Sequence, residues 1–335
     1  MNFSSNNPRR KPRPNPLHRY LRPAALLLPA ALLLTACETD IDVPEPEHTP
    51  RIALSMTLDN LPAADSAKRQ DMVGRIPFVS VSKRLYDLTP LQGSLNATVE
   101  VRDAAGTLVE RYKPYARQGT PPYYYYYGQG RYRPMLNYQF QPGQTYTVRA
   151  TVPGVEAAES QLTMPEVVPV QATLTPLSSN GPRRGRLTVS FDDPGAGSDY
   201  YLVTARIAGP GGVRQGYLSI EREGEDVPGG SVAPYQLSAA NSSWDLHPFS
   251  DSNVNGQRIS FSGNITYSGS NGRLEYLEVT LSHLTRDQYL FYNSYLQYAD
   301  NDGNPFAEPT PLYGNVTPGF GIFGAATDAV ARIPL

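Results

Sequence analysis

Polar and apolar residues alternate along much of the chain in short stretches that stop at glycine, proline or asparagine, the pattern of strands joined by turns. Asn96 to Asp103 alternates with Ala97, Val99 and Val101 on one side, and the Ala105-Gly106 turn leads into a partner over Thr107 to Tyr112, which predicts a hairpin. Arg51 to Leu58 reads as an earlier strand. Gln141-Pro142-Gly143-Gln144 is a turn, after which Thr145 to Val152 alternates again and stops at Pro153-Gly154, with Gln161 to Met164 closing the region. Residues 51–165 are therefore expected to form an N-terminal β-sandwich of immunoglobulin or fibronectin type, argued from strand spacing because the cysteine-tryptophan hallmark is missing.

Pro165 to Pro182 supplies a linking strand into a larger β-rich unit over residues 166–335. That unit opens with Arg186 to Phe191, a turn at Asp192-Asp193-Pro194-Gly195, a strand from Tyr200 to Ile207 and another from Tyr217 to Glu221. Arg258 to Tyr267 and Arg273 to Leu281 flank Ser268-Gly269-Ser270-Asn271-Gly272, which predicts a further hairpin with Asn271-Gly272 supplying the positive φ of its turn. One helix is predicted near 285–299. Thr285 can cap its N-terminus with Gln288 at the third position, and Tyr289, Tyr292 and Leu296 share one face. The expected fold class is mainly β with this single helix in the C-terminal region.

Composition narrows the picture. With 28 glycines, 32 prolines and 18% charged residues in a chain of 335, neither a coiled coil nor wholesale disorder fits. The first 36 residues carry Arg9, Arg10, Lys11, Arg13, Arg19 and Arg22 and no acid, followed by an apolar run from Ala24 to Leu34 broken only by Pro29. This is the pattern of a secretory signal, too short to span a bilayer as a helix. Its removal would leave 23 basic and 31 acidic residues, a net charge of −8 with histidine neutral, so a nucleic-acid partner is not expected.

The apolar run ends in Leu34-Thr35-Ala36-Cys37, which resembles the lipobox of bacterial lipoproteins, and Cys37 is the only cysteine. The resemblance implies cleavage before Cys37 and lipid attachment to its sulfur. Residues 37–50 then read as an acidic tether, with Glu38, Asp40, Asp42, Glu45 and Glu47 unopposed by any base up to Glu47. Such a run also resembles the export signal that carries some lipoproteins to the outside of the outer membrane.

Further along stand Phe249-Ser250-Asp251 with Asn255-Gly256, the tyrosine-rich helix, Gly303-Asn304-Pro305-Phe306-Ala307-Glu308-Pro309, Tyr313-Gly314-Asn315-Val316, and Gly319-Phe320-Gly321-Ile322-Phe323-Gly324. Behind a lipobox and an acidic leader, this order resembles the lipoprotein family known as domain of unknown function 4249. The resemblance implies an outer-membrane lipoprotein that partners a TonB-dependent receptor, and it supplies no enzymatic activity.

Little in the chain suggests catalysis. Gly319 to Gly324 matches a dinucleotide fingerprint in form, but no βαβ unit surrounds it, so its glycines are expected at a bulge or a close crossing against a sheet. Asp300-Asn301-Asp302-Gly303-Asn304 begins like a calcium loop, yet Pro305 stands where glycine is needed and Pro311 where a bidentate glutamate belongs, so a helix-ending turn is expected. Asp192 and Asp193, and Glu221, Glu223, Glu225 and Asp226, read as solvated acids beside turns. His48, His247 and His283 lack metal-ligand spacing, and no nucleophile motif is present, so neither metal nor cofactor is expected. The most unusual segment is Pro121 to Arg133. Its alternate tyrosines Tyr123, Tyr125 and Tyr127, with Arg131 and Tyr132, have the composition of a peptide- or glycan-binding loop, and Phe320 and Phe323 are a second candidate contact. The expected role is a non-enzymatic, surface-exposed lipoprotein that binds a ligand or assists a receptor; the alternatives are an extracytoplasmic hydrolase or an adhesive module.

Overall fold

The computed structural model describes residues 44–62, 75–89, 91–114, 130–178, 183–209, 212, 214, 216–221, 235–239, 246–269, 274–301, 308 and 310–335. The chain divides into two units, Met1–Pro46 and Glu47–Leu335, and every element named below belongs to the second. In chain order these are β1 (Ile52–Asp59), β2 (Phe78–Val81), β3 (Thr98–Asp103), β4 (Leu108–Pro114), β5 (Tyr132–Pro134), β6 (Thr145–Val152), β7 (Val155–Thr163) and β8 (Val170–Ser178). There follow β9 (Arg183–Asp192), β10 (Tyr200–Ala208), β11 (Gly216–Glu221), β12 (Leu237–Ala239), β13 (Phe249–Ser250), β14 (Arg258–Gly269), β15 (Tyr276–Leu284), α1 (Arg286–Asn301) and β16 (Gly319–Pro334). The protein is mainly β, with one helix among the described residues.

Three sheets form. The largest runs β12-β10-β15-β16-β1-β2, with β13 also on β10; a second runs β11-β14-β9-β8, and a third β5-β4-β3-β6-β7. The expected hairpin β3–β4 is present, and Pro153-Gly154 turns β6 into an antiparallel partner, β7, that begins at Val155, earlier than the segment expected from Gln161. The hairpin expected between Arg258 to Tyr267 and Arg273 to Leu281 does not form. β14 pairs with β9 and β11, whereas β15 pairs with β10 and β16. Burial explains the separation. Eight residues in succession along β15, Leu277 to Leu284, are buried on both faces, which only an interior strand of a covered sheet accommodates, while β14 is half-buried throughout its middle.

The strand β16 ties the halves of the chain together. It runs parallel to β1 in register Ile52↔Gly319 to Asp59↔Ala326, and antiparallel to β15 from Leu284↔Ala326 to Tyr276↔Pro334. Near its start Phe323 and Ala325 enter a core with Ile52, Leu54, Met56, Val99, Val101 and Tyr146. Near its end Ile333 packs on a second core of Leu187, Val189, Phe191, Tyr201, Val203 and Ile265. The five-stranded sheet thus closes a sandwich on β1, β2 and β16, and the four-stranded sheet closes another on β10 and β15. The expected boundary at residue 165 is corrected accordingly, because the N-terminal sandwich is completed by a strand from the opposite end of the sequence.

The helix covers the other face of the large sheet. Tyr292 is buried with Leu202, Leu246, Leu284 and Ala326, and Tyr289 and Leu296 pack beside it, as the i, i+3, i+7 spacing predicts. Thr285 caps the helix by accepting the Gln288 N–H at 3.4 Å, but the Gln288 side chain turns to β1 and accepts from Thr57 Oγ1 at 2.9 Å. Glycine fits closely below it, since a Cβ on Gly324 would lie 2.9 Å from Gln288 Cβ as well as 2.0 Å from its Oε1. Beside this contact Arg75 is buried between Asp59 and Asp328, 2.9 Å from the latter, and their charges hold its guanidinium protonated.

Candidate functional site

The site grows out of two loops at one end of the four-stranded sheet. β9 ends at Asp192, which is exposed and pairs with Arg258 at 3.1 Å as a solvated acid should. Asp193 departs from that expectation: it is buried, and its own N–H donates to the Gln257 carbonyl at 3.0 Å. Gly195 and Gly256 have φ of 70° and 72°, and a Cβ on Gly195 would stand 2.7 Å from the Gly256 Cα. Two glycines in the left-handed region therefore let the β9–β10 turn and the β13–β14 loop touch. Asp193 fastens them, with Oδ2 accepting from Gly256 N at 2.7 Å and Gly195 N at 3.3 Å and Oδ1 accepting from the Tyr201 hydroxyl at 2.5 Å.

Two more carboxylates converge here. The Asp199 carbonyl accepts the Asp251 N–H at 3.1 Å, and one carboxylate oxygen from each of Asp193, Asp199 and Asp251 lies within 4.8 Å of the others. Asp251 is 0% exposed, and neither of its carboxylate oxygens is in hydrogen-bond geometry with a donor among the described residues. Burial, reinforced by Asp193 and Asp199, pushes its carboxyl above the usual carboxylate range. Asp199 Oδ1 faces His283 Nε2 at 2.9 Å, while His283 Nδ1 faces the Glu166 carbonyl at 2.9 Å and the ring stacks on Tyr201 with centroids 5.0 Å apart.

Asp199 and His283 also line an open cleft of about 850 Å³ at the N-terminus of α1, together with Thr163, Glu166, Tyr200 and Arg286. The Tyr200 ring packs against Tyr289 at 4.7 Å. Asp287, in the first turn of the helix, accepts from the Tyr313 hydroxyl at 2.6 Å and from Asn315 Nδ2 at 2.8 Å, so the cleft floor is held from two sides.

The residues singled out from sequence fall elsewhere. Cys37, Tyr123, Tyr125 and Tyr127 lie outside the described residues, as do Asp302, Gly303 and Asn304. Tyr132 is corrected: it is 1% exposed, donates to the Ser94 carbonyl at 2.9 Å and accepts from Ala97 N at 3.0 Å, which fixes it in the core as part of β5. Arg131 is half-buried in a backbone bridge to Phe78, and burial pulls its pKa down. Phe323 is likewise a core residue, whereas Phe320 is 53% exposed, since three residues apart on one strand they fall on opposite faces. The expected close crossing at Gly319 to Gly324 is present. Gly321 has φ of 99° and a Cβ there would meet the Leu54 carbonyl at 2.0 Å.

Sequence reasoning passes over Asp199 and names Asp251 only within the Phe249-Ser250-Asp251 motif, not as a site residue. A signal for Asp251 exists, because Asp251, Asn253 and Asn255 place oxygen-bearing side chains at positions one, three and five ahead of Gly256 at position six. Asp199 has no comparable local signal.

The sheets, the helix and the mixed-charge cleft define a β-sandwich protein with an open cleft, and no helix among the described residues is long and apolar enough to cross a membrane. The family model for a domain of unknown function, DUF4249, matches residues 78–332, and the chain belongs to that family. No curated protein matches it.

Proposed function

We propose that the protein is a lipid-anchored lipoprotein of the outer membrane, facing the cell surface, that captures a peptide or glycan as the accessory of a TonB-dependent receptor. The observation that carries the binding role is the cleft at the N-terminus of α1, which combines acceptors on Glu166 and Asp199, a donor on the exposed Arg286 and an aromatic wall at Tyr200. Such a lining suits a ligand rich in hydroxyl and amide groups. The lipobox at Leu34 to Cys37 and the acidic stretch after it support the anchoring and the outward orientation.

The role is non-catalytic on this reading. Both ring nitrogens of His283 are engaged, one by a carboxylate and one by a backbone carbonyl, so neither is left to contact a nucleophile. The test is affinity capture of the lipidated protein from gently solubilised outer membranes, with bound proteins identified by mass spectrometry. One stoichiometric TonB-dependent receptor should co-purify with the wild type and be lost from a Cys37→Ala control. Absence of any specific partner from membranes that retain the protein would overturn the accessory role.

A further inference from the structure

The three carboxylates beneath the cleft pose a separate problem. Asp193 has its donors from Tyr201, Gly195 and Gly256, and Asp199 has His283, but Asp251 is fully buried and neither of its oxygens is in hydrogen-bond geometry with a donor among the described residues. No lysine or arginine among the described residues pairs with it. Its nearest charged neighbours, Asp193 and Asp199, repel it. A buried carboxylate is otherwise found paired or on a metal, because water no longer shields it.

We propose that Asp193, Asp199 and Asp251 hold one calcium ion that joins the β9–β10 turn to the β13–β14 loop. Calcium takes oxygen ligands at about 2.3–2.6 Å, so two ligands on opposite sides of the ion stand about 5 Å apart. Oxygens within 4.8 Å of one another fall inside that span without any movement of the backbone. The donor set argues against softer metals: the ring nitrogens of His283 are already engaged and the only cysteine is Cys37. Magnesium keeps several of its waters and seldom takes three protein carboxylates at once. The ion offsets the repulsion within the triad and, through Asp199, steadies one wall of the cleft. This inference stands whether or not the protein is lipidated or partnered.

The test uses the full-length protein in detergent, stripped with a calcium chelator and titrated with calcium alone. Thermal unfolding and terbium luminescence sensitised by Tyr201 are the two readouts. Calcium should raise the midpoint of unfolding with one-to-one saturation, since a ligand bound only by the folded state stabilises it. Asp251→Asn should bind at least about tenfold more weakly yet unfold no earlier than wild type without the ion, because one repelling charge is gone; Asp199→Asn is the second variant should the first fail to accumulate. Wild type that shows neither a calcium-dependent midpoint nor terbium emission would overturn the proposal. So would an undiminished calcium response in Asp251→Asn, or an equal response to magnesium at the same concentration.

Discussion

The Tyr201 hydroxyl donates to Asp193 Oδ1 at 2.5 Å, joining the core of β10 to the turn that carries the carboxylate triad. Tyr201 is 0% exposed and packs on Phe191 at 4.8 Å, so its ring belongs to the second core while its oxygen belongs to the site. Tyr201→Phe keeps the packing and removes one donor from a buried carboxylate. The expected loss is about 1.5–3 kcal/mol of stability in urea denaturation, the range for a hydrogen bond to a charged group. An unchanged midpoint would mean that Asp193 finds another donor.

Glu110 is 0% exposed and accepts four backbone N–H groups, from Arg111 at 2.8 Å, Met135 at 3.0 Å, Leu136 at 2.8 Å and Tyr138 at 2.9 Å. It organises the segment after β5 as a capping carboxylate organises a helix end. Glu110→Ala leaves the Arg111, Leu136 and Tyr138 N–H groups without this acceptor, while Met135 N–H keeps the Arg111 carbonyl at 2.9 Å, and should cost more than about 3 kcal/mol. Hydrogen exchange at Met135, Leu136 and Tyr138 should accelerate well beyond that of β6, which would separate a local from a global effect.

Gly321→Ala should be among the most damaging single substitutions. The added Cβ meets the Leu54 carbonyl in the adjacent parallel strand, and the φ of 99° is strained for any L side chain. A loss of more than about 3 kcal/mol is expected, read as the yield of folded protein and its urea midpoint. Gly106→Ala, whose Cβ would meet nothing within 4 Å, separates the two causes because its φ of 81° carries the strain without the collision.

Alkaline pH should destabilise the protein through buried tyrosines. Burial pushes Tyr146 up to about 12, although its oxygen accepts from Gln141 N at 2.9 Å, and Tyr201 is raised further by burial and by Asp193. A raised folded-state pKa favours the protonated phenol, so this stability is complete below the unfolded value of about 10 and is lost as pH rises from there toward 12. Thermal midpoints measured across that window should fall, and Tyr146→Phe should flatten part of the decline. An equally steep fall in the variant would place the titration elsewhere.

Local pattern was a sound guide wherever two neighbouring segments settle their own pairing. The alternation at Val99 and Val101, the Ala105-Gly106 turn and the Thr285 cap are all properties of a few adjacent residues, and the elements they mark are present. Long-range pairing left no such trace. Nothing near Ile52 or Gly319 announces that these residues lie side by side, 267 positions apart in parallel register, and the glycines at 319, 321 and 324 disclosed only that something approaches closely. The same limit applied to the site. Asp193 looked like a turn acid because its burial is imposed by Gly256 and Tyr201, and Asp199 gains its role only when β15 delivers His283. Tyr132 misled in the opposite direction, since a polar tip amid tyrosines suggests a surface although its hydroxyl is satisfied by backbone within the core.

Anchoring at Cys37 is the premise of the proposed role, and the intact mass of the protein purified from outer-membrane fractions tests it most directly. The expected result is a chain that begins at Cys37 and carries the added mass of a diacylglyceryl group on its sulfur, with the Cys37→Ala protein found instead in the soluble fraction. A mature protein that begins at another residue, or one that bears no lipid and stays with the membrane regardless, would contradict it.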